Sequence, residues 1–124
     1  MRDFRQIKVW EKAQGLTLDV YRVTAVFPRE ELYGLTSQLR RASVSIAANI
    51  AEGSGKNSRP DFARFLQIAL GSASEVEYRL LLSRDLNYLT GEVYQDLCEK
   101  VIETNKMLTG FIQYLNMPKT GTDG

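Results

Sequence analysis

The segment 33–55, YGLTSQLRRASVSIAANIAEGSG, constrains the fold of this chain more than any other part of the sequence. Its apolar residues recur every three or four positions, which is the spacing of one face of an α-helix. Small Ser and Ala side chains fill its second half, and such residues let the backbone of another helix approach closely. The segment therefore predicts a long helix with a tightly packed helical neighbour, and it predicts no reaction. The apolar positions are Leu35, Leu39, Ala42, Ile46 and Ile50.

Length and composition predict one globular domain. The chain has 124 residues, of which 44% are hydrophobic and 25% charged, so a core can form without disulfide or metal support. No apolar run reaches the roughly 20 residues that a membrane span needs, and the charged N-terminus does not resemble a signal peptide. A single cysteine fits a reducing compartment. We therefore expect a cytoplasmic protein that makes no membrane contact.

Histidine is absent from the sequence, and this absence restricts the reactions and metal sites that the chain can support. It removes the usual general base near neutral pH, and with only one cysteine it also removes the common zinc sites. The Glu-x-x-His pairs of di-iron bundles are missing for the same reason. We therefore predict no catalytic residue, no metal, no cofactor and no enzymatic activity.

Apolar periodicity predicts four helices and no strand. Pro28 ends the first helix because its ring is incompatible with a helix interior, and Glu30 and Glu31 fall in the first turn of the second. Gly53 is predicted to end the second helix as a left-handed cap, and Ser58 to cap the start of the third. The predicted bounds are about 5–27, 30–53, 58 to between 86 and 89, and 93–115.

Four helices joined by short turns favour an all-α, antiparallel up-down-up-down four-helix bundle over residues 1–117, followed by a disordered tail at 118–124. The small faces of the second and third helices are predicted to meet each other or a neighbouring subunit. Gly71 lies in the middle of the third helix, where it costs about 1 kcal/mol relative to alanine. We expect close approach of another backbone to offset that cost.

The motifs along the chain resemble those of the 23S rRNA-intervening-sequence proteins, which are small bacterial four-helix bundles. The resemblance covers about residues 4–115 and implies a homo-oligomer, most simply a pentameric ring, with no established enzymatic activity. It also implies a relationship to the accessory proteins of diversity-generating retroelements, which bind nucleic acid and a reverse transcriptase. The motifs are Val9-Trp10, Phe27-Pro28, Tyr33-Gly34-Leu35, Gln38-Leu39-Arg40-Arg41-Ala42, Ser45-Ile46, Asn49-Ile50-Ala51-Glu52-Gly53, Phe65-Leu66 and Gly71-Ser72.

Basic residues are unevenly distributed along the sequence. Residues 1–59 hold ten Lys and Arg against six Asp and Glu, whereas residues 60–124 hold six against nine. The first two helices are therefore predicted to be basic and the last two acidic. Five basic residues are predicted to form a phosphate-binding patch at one end of the bundle. Alternatively, one arginine of the adjacent pair is solvated and the other pairs with an acid on a neighbouring helix or subunit. The five residues are Arg40, Arg41, Lys56, Arg59 and Arg64.

Three polar residues, Asn49, Glu52 and Glu75, are candidates for a cluster among apolar neighbours. Two carboxylates near an amide can perform acid–base chemistry if burial raises one pKa. No nucleophile pattern, phosphate loop or metal-ligand set accompanies them, so we interpret them as a structural polar cluster that caps or cross-links closely packed helices.

The sequence therefore favours a non-enzymatic homo-oligomer that binds structured RNA or single-stranded DNA through a repeated basic surface. The alternative is a protein-interaction scaffold with no nucleic-acid role, which the near-neutral net charge of +1 favours. The expected partners are further copies of the chain, RNA or single-stranded DNA, and a reverse transcriptase or another protein. An enzyme is the third and weakest hypothesis, because the chemistry of a site is missing.

Overall fold

The computed structural model describes residues 3–118, and that part of the chain is all-helical with no strand. The prediction of four long helices is confirmed there, and the arrangement is consistent with a four-helix bundle. Of the predicted disordered tail, residues 119–124 lie outside the described residues. The long helices are α1 (Lys8–Thr24), α2 (Ser37–Ser54), α3 (Arg59–Asp85) and α4 (Gly91–Asn116), and the short helical turns are Phe4–Gln6, Arg29–Glu31 and Leu32–Thr36.

One apolar core joins the four helices. Each helix contributes side chains that are almost completely removed from water, and this burial is the main stabilising contribution to the fold. The most extensive helix–helix contact is between α2 and α3, where the small residues lie. Among the largest fully buried side chains are Leu16, Leu39, Phe62, Leu80 and Leu108.

Polar contacts between the helices follow a regular order along the chain. Thr17 Oγ1 donates to the Ser43 carbonyl at 3.0 Å, and Arg40 Nε donates to Thr24 Oγ1 at 2.8 Å. Later residues of α1 therefore meet earlier residues of α2. The same order relates α1 to α4, because Lys12 pairs with Glu103 at 2.9 Å and Asp19 pairs with Lys100 at 2.7 Å.

The connection between α1 and α2 differs from the prediction at both of its ends. α1 ends at Thr24 rather than near Phe27, and α2 begins at Ser37 rather than near Glu30. The carboxylate of Glu31 accepts a hydrogen bond from the Leu35 amide at 3.2 Å and another from the Tyr88 hydroxyl at 3.0 Å. Gly34, which lies between Glu31 and Leu35 in the sequence, has φ −112° and ψ −113° and interrupts the helical path there. Both glutamates therefore lie in a short turn before α2 instead of in its first turn, and Glu31 holds that turn together.

Gly53 has a different role from the one predicted. It lies inside α2, and the residue that follows the helix, Gly55, has φ −86°, so no left-handed cap forms. A Cβ atom on Gly53 would lie 2.7 Å from Phe65 Cβ and 2.9 Å from Phe62 Cδ1. Real carbon atoms do not approach so closely. Glycine is therefore needed because α3 packs directly against this turn of α2.

The tight joint between the second and third helices is confirmed. The hydroxyl groups of Ser45 and Ser72 form a 2.8 Å hydrogen bond across it. The predicted N-cap is also confirmed, since Ser58 Oγ accepts from the Asp61 amide at 3.2 Å. The prediction that another backbone approaches Gly71 closely is wrong within the described chain, because a Cβ atom there would meet nothing within 4 Å. No close approach inside residues 3–118 offsets its helical cost.

Candidate nucleic-acid interface

Three of the five predicted phosphate contacts lie together around the connection between α2 and α3. Lys56 follows α2, whereas Arg59 and Arg64 occupy the first turns of α3. The Phe65 ring holds two of them, with Lys56 Nζ at 5.0 Å and Arg64 Cζ at 4.7 Å from its centroid. Cations over an aromatic face are attracted by the electron density of the ring. The ring thereby holds two positive charges at this end of the fold, and Arg64 also lies 3.8 Å from the carboxylate of Asp61.

Arg59 extends the same surface to the end of α4. Its guanidinium lies 4.9 Å from the centroid of the Tyr114 ring and donates a hydrogen bond to the Tyr114 carbonyl. Tyr114 belongs to the last turn of α4, and its carbonyl also accepts a hydrogen bond from the amide of Met117, the residue that follows the helix, at 3.2 Å. The Nε atom of Arg59 is buried and has no hydrogen-bond acceptor among residues 3–118.

The other two predicted contacts lie elsewhere. Arg40 is 14 residues, or about 21 Å along the axis, from the end of α2. Its Nε binds the Thr24 hydroxyl, and its guanidinium lies 4.7 Å from the Tyr21 ring centroid. Arg41 is exposed beside Glu75 and Arg79. The five basic residues therefore do not form one patch. Among residues 3–118, Arg40 contacts a hydroxyl, a carbonyl and a ring rather than an acid.

Charge separates along the length of the fold, whereas the prediction of two acidic helices is confirmed only for α4, because α3 holds four Arg against four Asp and Glu. Near the start of α1, the α2–α3 connection and the end of α4, the described chain carries seven Lys and Arg against five Asp and Glu. The remainder of residues 3–118 carries seven against nine. We call the region formed by the start of α1, the α2–α3 connection and the end of α4 the basic end. Its cations are Arg5, Lys8, Lys12, Lys56, Arg59, Arg64 and Lys106, and its acids are Asp3, Glu11, Glu52, Asp61 and Glu103.

The predicted polar cluster is only partly assembled. Asn49 donates to the carbonyl and the hydroxyl of Ser45 at 2.8 and 3.0 Å, and Ser45 in turn reaches Ser72 on α3. Glu52 is exposed, and Glu75 is exposed and paired with Arg79 on its own helix. The two serines therefore form the cross-link that was predicted for the asparagine and the glutamates. Small side chains in both helices were the sequence signal for it.

An ion pair between α1 and α4 shifts the pKa values of both of its members. Partial burial alone would raise the pKa of Asp19, but hydrogen bonds and charge from Lys100 and Arg22 hold it below its ordinary value. The hydrogen bond to Asp19 in turn raises the pKa of Lys100. Residues 3–118 contain no group of three or more His, Cys, Asp and Glu side chains arranged to hold a metal ion. None of the helices they form has the length and apolar character to cross a membrane.

Comparison with known proteins places the chain in a family. The model of the 23S rRNA-intervening sequence protein family matches residues 5–110, and the chain therefore belongs to that family. A crystal structure of a protein of unknown function from the S23 ribosomal protein family of Bacteroides thetaiotaomicron is similar in fold, with a TM-score of 0.78 and 31% identity. The match covers 85% of this chain and 95% of that one. No curated protein is significantly similar to the chain.

Proposed function

We propose that this member of the 23S rRNA-intervening sequence protein family is a non-enzymatic, cytoplasmic homo-oligomer that binds structured RNA or single-stranded DNA. Each copy is an antiparallel up-down-up-down bundle, in line with the order of the contacts of α1 with α2 and α4. Five copies are the favoured assembly. The nucleic acid lies on the basic end, and the main phosphate contacts are Lys56, Arg59 and Arg64.

The clustering of these three cations around two aromatic rings is the observation that carries the proposal. Phosphate contacts add to one another in the salt dependence of binding, so an oligomer multiplies the effect of a small patch. Aromatic rings beside cations are also the usual composition of surfaces that bind single strands. The remainder of the described chain has more acids than bases and would repel a phosphate backbone.

Exposed apolar side chains near the start of α2 support the oligomer. Tyr33 is 91% exposed and Val26 is 83% exposed, and Leu32 between them is also exposed. All three belong to the connection between α1 and α2, and several exposed apolar side chains in one connection favour a protein contact surface. The double variant Val26→Ser/Tyr33→Ser is expected to lower the oligomeric mass in native mass spectrometry. Tyr78→Ser is the matched control, because Tyr78 is 61% exposed but lies on α3.

A salt titration with two charge-matched triple variants tests nucleic-acid binding. The first variant changes Lys56, Arg59 and Arg64 to glutamine, and its slope of log affinity against log salt should fall by about 2 for each bound protomer, since each single-strand phosphate contact contributes about 0.7. The control changes Arg22, Arg29 and Arg41 to glutamine and should keep the wild-type slope. Equal slopes for both variants would refute the assignment of these residues. The absence of any binding at low salt would favour the protein scaffold, with a reverse transcriptase or another protein as its partner.

A further inference from the structure

A groove of about 810 Å³ lies between the start of α3 and the end of α4. This volume is within the range of roughly 300–1,000 Å³ that small-molecule sites occupy. Aromatic rings form one part of its lining, and polar groups from the α2–α3 connection and the last turn of α4 form the other. The residues used below are Asn57, Arg59, Phe62, Phe111, Tyr114 and Asn116.

Arg59 lines this groove and carries one donor that has no acceptor among the described residues. Its terminal nitrogen is occupied by the Tyr114 carbonyl, yet its Nε is buried and finds no acceptor within residues 3–118. Buried donors in folded proteins nearly always have a partner, and an unpaired one requires an explanation. A phosphate oxygen is the acceptor best suited to a guanidinium, because the hydrogen bond is then assisted by charge. The guanidinium in the lining of the groove therefore favours an anionic ligand group.

The aromatic part of the groove suits a flat ring. Phe62 is fully buried and packs edge to face on the half-buried Phe111 at 5.1 Å between centroids, so the exposed ring is that of Tyr114, 6.4 Å from Phe111. Tyr114 is 60% exposed although it stands beside these rings. Nucleobases stack on such side chains whatever their sequence, because every base has an aromatic face. The amides of Asn57 and Asn116 lie at the same groove and can bind polar edges of a base.

We propose that this groove binds one nucleotide unit, with an unstacked base against Tyr114 and its phosphate on Arg59. The inference rests on the proposed function and makes it more specific. A base inside a duplex cannot reach the groove without being unstacked. The protein therefore prefers single strands and unpaired loops to duplexes. The source of the nucleotide is either a strand or a free mononucleotide, and the two are separated by experiment.

The test compares twelve-residue oligothymidylate with an abasic strand of the same length and with adenosine monophosphate, all titrated against the full oligomer. Tyr114→Ala should weaken binding of oligothymidylate by about 5- to 150-fold, the range found for losing one stacked base. Its salt slope should stay that of the wild type, because no phosphate contact is removed. Tyr114→Phe keeps the ring and the backbone carbonyl, so it should bind like the wild type. Tyr78→Ala, an exposed tyrosine on α3, is the matched control.

The abasic strand separates the claim that the groove holds a base from the claim that the basic end binds phosphates. If the groove holds a base, the wild type should bind the abasic strand more weakly than oligothymidylate, and Tyr114→Ala should bind both alike. Equal binding of both strands by the wild type, with the salt slope intact, would overturn the groove and leave the basic end standing. A failure to bind any strand would instead overturn the proposed function. Adenosine monophosphate binding that matches the strand would support the groove and identify a free nucleotide as its ligand.

Discussion

Replacing Gly53 by alanine tests the packing of α2 against α3, and replacing Gly71 provides its control. Both glycines are helical, so alanine should stabilise each helix by about 1 kcal/mol if nothing else changed. At Gly71 the new methyl group would meet nothing within 4 Å. At Gly53 it would stand 2.7 Å from Phe65 Cβ and 2.9 Å from Phe62 Cδ1. The two substitutions should therefore have opposite effects.

The size of the Gly53 effect follows from the atoms that must move. Phe65 Cβ is bonded directly to the backbone of α3, so a rotation of the side chain cannot relieve the contact. The helices must separate by several tenths of an ångström or more, and overpacking of this kind costs about 1–3 kcal/mol and occasionally more. Because Phe65 Cβ cannot rotate away, we expect the upper part of that range, about 2–3 kcal/mol, so that Gly53→Ala loses about 1–2 kcal/mol after the helical gain of about 1 kcal/mol is subtracted. For a chain of this length that corresponds to a fall in Tm of about 4–8 °C, against a rise of about 4 °C for Gly71→Ala.

The Tm of both variants is measured by monitoring thermal unfolding with circular dichroism. All samples are compared at one protein concentration, and their oligomeric mass is determined in parallel. Wild-type or higher stability of Gly53→Ala would refute the close approach of α3 to this turn. A loss at Gly71 as large as that at Gly53 would refute the open environment of Gly71, and would indicate that another copy of the chain covers it.

Two further predictions concern stability. Leucine at Ala73, or at Ala47, should cost about 1–3 kcal/mol, because both sites are buried among the four helices; urea unfolding at an unchanged midpoint would disprove the packing at that position. Asp19→Asn tests the ion pairs of α1. The folded pKa of Asp19 lies below its ordinary value of 3.8. The ionised carboxylate therefore stabilises the fold above about pH 4, and this stabilisation is lost as the pH falls through the folded pKa. The variant should therefore be less stable than the wild type at pH 7 and approach it at pH 3 in urea titrations, whereas a constant difference across that range would contradict the pairing.

The four helices could be predicted because their signals are local. Apolar spacing marks a helical face, and Ser58 caps the amide of a residue only three positions away. The small residues of α2 and α3 likewise indicated a tight joint without showing which atoms meet. The close approach was predicted at Gly71 but occurs at Gly53, since a glycine in a sequence does not reveal what lies opposite its missing side chain.

The remaining differences arise from contacts between distant parts of the chain. The turn before α2 depends on the bond between Glu31 and Tyr88, which are 57 positions apart. The groove depends on Arg59 meeting Tyr114, 55 positions away. Arg40 and Arg41 were grouped with the other cations because all five share one stretch of sequence. Because α2 is long, the two arginines instead lie about 20 Å along the helix axis from its end, which Lys56 follows.

Photocrosslinking to a single strand locates the bound nucleic acid most directly. The nuclease-treated oligomer is irradiated with oligonucleotides that carry 5-iodouracil, and the crosslinked peptides are identified by mass spectrometry. The proposed interface predicts crosslinks at Tyr114, the exposed ring beside Arg59. Crosslinks confined to the region of Tyr21, Arg40 and Arg41 would contradict it, because those residues lie away from the basic end.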